Sequence, residues 1–264
     1  MIRTIAPDDL QLALELADAA DAITMARFRA DDLVVETKPD MTPVSEADRA
    51  VERRVHQLVS ERRPGDALIG EEFGGDGIGG RRWIIDPIDG TKGYVRGMPV
   101  WATLLALEEE GEVTTAVVSA PAMGRRWWAA RGHGAFTNRS TASEQSRPLR
   151  VSAIAQLKDA QVCYGDVDWY ERTGCLNGLL ELIRHCWRAR GFGEFWQYML
   201  VAEGLAEVAS DPSVKLWDLA APMLIVQEAG GRFTDFTGTA TAAGGDGIAS
   251  NGLLHDVALA TLSG

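Results

Sequence analysis

Apolar residues recur at helical spacing over residues 7–28, at Leu10, Ala13, Leu14, Ala17 and Ala20, with Pro7-Asp8 as a start signal. The same period predicts a helix over 45–61, with Val44, Ala47, Val51, Val55 and Leu58 as its buried stripe. Short apolar runs at 67–70, 83–85, 101–107 and 113–119 read as strands, the last two forming a hairpin around Gly111. Residues 127–129 add another strand. The stretch 74–80 is too rich in glycine for an ordered element. Beyond it, the polar segment 138–150 marks the boundary between two halves. In the second half, helices are expected over 176–184, 194–203, 217–229 and 253–262, with strands at 205–209, 232–234 and 247–250. Gly230-Gly231 supplies a stop for the helix at 217–229. Helices and strands in both halves predict an α/β protein, a layered sandwich of two intimately packed halves, 1–145 and 146–264.

Charge narrows the function. The 264 residues carry a formal net charge of −12, which gives nucleic acid or an anionic membrane no basic footprint. No apolar run is long enough to span a bilayer, and the N-terminus has no secretory pattern, so a cytoplasmic location is expected. Three cysteines without a CxxC pair suit free thiols, and four dispersed histidines argue against zinc.

Four acids fall at the ends of predicted elements. Glu71 ends one strand, Asp86 and Asp89 follow another, and Asp218 opens a helix. Carboxylates so placed can converge outside a sheet, where a cation must neutralise them. A donor set of oxygens alone favours a hard ion such as Mg²⁺. In Asp86-Pro87-Ile88-Asp89-Gly90-Thr91, Pro87 stiffens the turn and the Ile88 carbonyl offers another oxygen. Gly90 lets the backbone approach an anion, and a helix starting at Thr91 would cradle a phosphate. Two residues carry competing readings. Ser45-Glu46-Ala47-Asp48 fits a capping box, and Asp218 fits an ordinary helix cap. Glu72 reads as a solvated acid and Lys38 as a surface lysine.

Gly70-Glu71-Glu72, then Trp83 to Thr91, then Trp217-Asp218-Leu219-Ala220-Ala221 together resemble, in order, the signature motifs of the inositol monophosphatase-like family. The resemblance extends over nearly the whole chain. It implies an α-β-α-β-α sandwich of the sugar-phosphatase type and Mg²⁺-dependent phosphomonoester hydrolysis. The implied metal ligands are Glu71, Asp86, the Ile88 carbonyl, Asp89 and Asp218, holding two or three ions. Thr91 would activate water with Asp48 as its partner, aided by Glu71, while Gly90 and Thr91 bind phosphate. A homodimer and inhibition by lithium are further implications.

Residues 190–204, 95–102 and 126–132 resemble the histidinol-phosphate phosphatase branch of that family. That branch implies a substrate bearing an amine and an imidazole. Glu194 and Asp211 would supply negative charge and Trp127 a stacking face. The chain departs from the branch at Glu194, where aspartate is usual, and at Gly93-Tyr94, where Asn-Phe is usual. An inositol-1-phosphate, sugar, amino-alcohol or nucleoside phosphate is the alternative substrate. A non-catalytic binding relative is the alternative class.

Overall fold

The computed structural model describes residues 8–39, 41–75, 80–139 and 146–263. The glycine-rich stretch and the polar boundary segment therefore fall partly outside the described residues. The chain opens with helix α1 (Asp8–Arg27), the strand pair β1 (Val35–Thr37) and β2 (Pro43–Ser45), and helix α2 (Glu46–Arg62). Seven strands then form one sheet in sequence order: β3 (Ala67–Gly70), β4 (Arg81–Asp89), β5 (Ala102–Glu109), β6 (Glu112–Ala120), β7 (Arg125–Ala130), β8 (Ala135–Arg139) and β9 (Arg147–Pro148). A four-residue helix, α3 (Thr91–Tyr94), sits between β4 and β5.

The second half adds β10 (Gln161–Tyr164), α4 (Val167–Arg172), α5 (Leu176–His185), β11 (Arg188–Arg190) and α6 (Glu194–Ala202). It continues with β12 (Val208–Asp211), α7 (Leu216–Glu228), β13 (Arg232–Thr234), β14 (Gly247–Ser250) and α8 (His255–Ser263). Its five strands pair in the order β11-β10-β12-β14-β13. Among the described residues, no helix is long and apolar enough to cross a membrane.

Strand alternation explains the layering. In β4 and β5, Trp83, Ile85, Leu105 and Leu107 pack against α1 and α2, while Ile84, Leu104 and Ala106 face the other way. That opposite face packs on α6 and α7, which also cover Ala209, Phe233 and Ala249 of the second sheet. The outer face of the second sheet, through Val162, Val208 and Ile248, meets α4, α5 and α8. The result is the five-layer α-β-α-β-α sandwich. Helix α7 is buried between two sheets and continues through Pro222, although proline removes one helical hydrogen bond.

Two local readings change. The strand expected at 205–209 begins three residues later, because the Leu205 and Ala206 N–H groups turn back to the Leu200 carbonyl at the end of α6, at 2.9 and 3.2 Å. The short elements β10, β11 and α4 carry too few residues for a clear period and escaped the pattern reading.

Candidate active site

The site is built on an irregularity in β4. Asp86 pairs with Leu104 and Asp89 with Ala102, so β4 holds one residue more than β5 across this step. In a regular strand, residues three apart face opposite sides. The extra residue returns both aspartates to one side. Pro87 cannot donate to the ladder, so a bulge suits it, and Thr103 Oγ1 donates to the Pro87 carbonyl at 2.8 Å. Asp218 arrives from the first turn of α7, where its Oδ2 accepts the Lys215 N–H at 2.7 Å. One carboxylate oxygen from each of Asp86, Asp89 and Asp218 lies within 4.8 Å of the others.

These charges are costly as they stand. Burial first, then the neighbouring charges of Glu71, Asp89 and Asp218, hold the Asp86 carboxyl well above the usual carboxylate range. Burial, followed by Glu194 and Asp218, does the same to Asp89, against the Phe195 N–H that donates to its Oδ2 at 2.6 Å. Asp218 is pushed up to about 6, mainly by burial. Three crowded carboxylates with only oxygen donors fit a hard divalent cation.

Glu71 lines the same cleft but stands apart from this triad. Its Oε1 accepts Lys38 Nζ at 2.8 Å, and Glu72 Oε1 accepts the same amine at 2.6 Å. Two readings are corrected here. The Glu72 side chain is only 4% exposed, not solvated, and Lys38 neutralises the acidic pair from the β1–β2 arm. Burial alone would lower the lysine's pKa, but the two carboxylates outweigh it and raise it. Burial pushes Glu72 up to about 7 in spite of Lys38.

Helix α2 serves the cleft twice. Asp48 is fully buried; its Oδ2 accepts the Ser45 N–H at 2.8 Å and hydroxyl at 2.6 Å, and its Oδ1 accepts Thr91 Oγ1 at 3.2 Å. The capping role and the contact with Thr91 coexist, one per oxygen. Thr91 Oγ1 also donates to the Ile88 carbonyl at 2.8 Å. One turn on, the buried carboxylate of Glu52 accepts the backbone N–H groups of Glu72 and Phe73, at 2.8 and 3.0 Å. Gly70 leaves room for it, since a Cβ there would lie 2.1 Å from Glu52 Oε1. Pattern reading missed Glu52, which looks like one more polar position on an amphipathic helix.

Gly90 takes φ +89°, a left-handed value that favours glycine, and leads into α3. A Cβ there would sit 3.3 Å from Glu194 Cγ. The first N–H groups of α3 have no acceptor within the helix and adjoin the carboxylate cluster.

The cleft has a volume of about 470 Å³ and runs from Asp86, Asp89, Gly90, Thr91 and Asp218 to a far wall that includes Glu194 and Asp211. Asp211 is held by Tyr198 Oη at 3.1 Å and by Gln197 Nε2. Burial pushes its pKa up to about 8. Trp127 is not in the cleft, which corrects the expectation that it stacks on a ligand. It is fully buried on β7, its Nε1 donating to Glu203 at 2.7 Å, with Arg125 4.8 Å above its ring. The aromatic residues that do line the cleft are Trp169, Phe192, Phe195 and Tyr198, and of these Phe195 and Tyr198 are buried.

Comparison with known proteins agrees with this geometry. The family model described as the inositol monophosphatase family matches residues 8–263. A histidinol-phosphatase of Streptomyces coelicolor is 54% identical over 260 residues, covering 97% of each chain. One from Mycobacterium tuberculosis is 51% identical, covering 97% of this chain and 98% of its own. The solved inositol monophosphatase (IMPase) of Thermotoga maritima superposes with a TM-score of 0.85 at 32% identity, with 97% of both chains covered. On motif order, five-layer fold and full-length match, this chain belongs to the inositol monophosphatase family.

Proposed function

We propose that the chain is a Mg²⁺-dependent histidinol-phosphate phosphatase, which converts histidinol phosphate and water to histidinol and phosphate. The observation that carries the reaction class is the Asp86–Asp89–Asp218 cluster beside Gly90 and Thr91 in one cleft. The substrate rests on full-length similarity to two histidinol-phosphatases at more than half identity. A cleft wall bearing Glu194 and Asp211 suits the substrate's amine and imidazole.

Asp86, Asp89 and Asp218, with Glu71 and the Ile88 carbonyl, would hold two or three Mg²⁺ ions, which when bound supply positive charge and acidify water. The chain's own residues then divide the work. Gly90 and Thr91 N–H groups orient the phosphate for in-line attack. The Thr91 hydroxyl and Asp48 carboxylate orient the attacking water and accept its proton. The water oxygen bonds to phosphorus as the bond to the alcohol oxygen breaks, and that oxygen takes up a proton from solvent. No phosphoenzyme forms. By family resemblance the enzyme works as a homodimer, and sedimentation would report twice the chain mass.

Steady-state phosphate release tests the reading. With Mg²⁺, kcat/KM for histidinol phosphate should exceed that for inositol 1-phosphate, and EDTA should abolish both. Equal or reversed preference would end the substrate assignment; release that survives EDTA would end the metal assignment.

A further inference from the structure

The motifs account for one end of the cleft and leave the other without an assigned partner for a flat ring. Trp127, the side chain expected there, is sealed into the sheet. Helix α4 takes its place. Trp169 lines the cleft and remains 41% exposed, so part of its large apolar surface is open to a ligand. Its neighbour Tyr170 is fully buried and donates its hydroxyl to the Ser210 carbonyl at 2.6 Å, one residue from Asp211. The indole is thus fixed relative to Asp211 by the backbone of α4. Arg172 stacks 5.1 Å from the Trp169 ring and pairs with Asp168 at 2.8 Å, which props the indole from within its own helix.

The surroundings define what could rest against it. Asp166, Glu194 and Asp211 contribute three carboxylates to the same wall. Glu194 and Asp211 are raised first by burial and then by neighbouring acids that include Asp166, while Lys92 on the same cleft draws Glu194 down. Gly165 keeps the floor open, because a Cβ there would lie 1.7 Å from Asp211 Oδ1. Phe192, packed 4.7 Å from Trp196, supplies a further aromatic side chain beside those of Phe195 and Tyr198. Aromatic faces among carboxylates match a planar cation, whose charge is drawn to both. An uncharged polyol offers these carboxylates no countercharge.

We infer that Trp169 is a specificity-determining residue: its indole receives the cationic heteroaromatic ring of the substrate, with Asp166 as the nearby countercharge. This rests on the histidinol-phosphate reading and extends it to residues outside the family motifs. Trp169 is neither in the carboxylate triad nor in the Gly90-Thr91 turn, so its contribution belongs to binding of the distal ring.

The test compares wild type, Trp169→Ala, Trp169→Leu and Trp169→Phe on two phosphates at saturating Mg²⁺. For histidinol phosphate, the Ala and Leu variants should raise KM about tenfold with kcat within about twofold, and Phe should restore most of the loss. For inositol 1-phosphate, KM should not move. Leu keeps apolar bulk without a ring, so it separates stacking from simple packing should the Ala variant fold poorly. An unchanged KM for histidinol phosphate in the Leu variant overturns this inference alone. Equal losses on both substrates also overturn it, by assigning Trp169 a structural role. A wild type that prefers inositol 1-phosphate overturns the substrate reading and this inference with it.

Discussion

At the carboxylate end of the cleft, Asp86 and Asp89 sit on a bulged strand paired on both sides, Asp218 on a helix sealed between two sheets, and Asp48 on a helix packed against the first sheet. At the far end, Asp166 caps the six-residue helix α4, Trp169 sits on that helix's exposed side, and Glu194 begins α6 with a left-handed φ of +46°. The first set stands on elements with extensive buried surface. The second stands on element ends and loops, which tolerate sequence change without loss of the core. A phosphatase fold can thus keep one reaction and exchange its alcohol.

That contrast can be broken at either end. The largest effect is expected from Asp89→Asn, which should lower kcat by at least about a hundredfold. Removing one of three crowded charges should also raise the melting temperature in EDTA; a lower melting temperature would show that repulsion there is unimportant. Thr91→Ala should follow, with a loss of about a hundredfold in kcat and little change in KM, because it removes the proposed proton path to Asp48 and the bond to the Ile88 carbonyl while leaving the backbone N–H groups in place. A proportional rise in KM would instead make Thr91 a phosphate ligand only.

The next effect is on stability. The carboxyls of Asp86, Asp89 and Asp218 titrate higher in the folded chain than in the unfolded one. The folded state therefore binds more protons, and stability falls as pH rises from the unfolded carboxylate pKa through the folded values. In EDTA the melting temperature should drop between pH 5 and pH 7.5, and saturating Mg²⁺ should flatten that slope. A metal-free melting temperature that rises over the same interval would contradict the crowding. The smallest catalytic effect is expected from Trp127→Phe. It should cost about 1 kcal/mol of stability through the lost bond to Glu203 and leave KM for histidinol phosphate unchanged. A raised KM would return Trp127 to the substrate.

The same contrast governs what could be read from the residues in order. Asp86-Pro87-Ile88-Asp89-Gly90-Thr91 is contiguous, so bulge, aspartates and turn are visible together. Long helices and the β5–β6 hairpin announce themselves by period, and the layering follows from them. Trp169 had no such signal. Its place depends on β10 pairing in parallel with β12, which brings α4 beside Asp211 across more than forty residues of chain. Trp127 was misplaced because a resemblance in sequence carries no facing direction, and alternation along β7 turns it inward. Glu72 was misread because the lysine that buries it comes from an unrelated strand pair. Asp48 looked like a choice between cap and catalyst because a carboxylate's two oxygens were counted as one.

Helix α2 ties two tasks to one rigid rod. From successive turns it reaches Thr91 through Asp48 and grips the backbone beyond Glu71 through Glu52. The same buried face is locked into the apolar layer by Val51 and Val55. A small slip of that rod would loosen the Asp48–Thr91 bond and the Glu71 turn in the same stroke. Evolution can therefore retune neither separately by way of this helix, and drift in its hidden valines would surface as a joint decline in ion affinity and turnover.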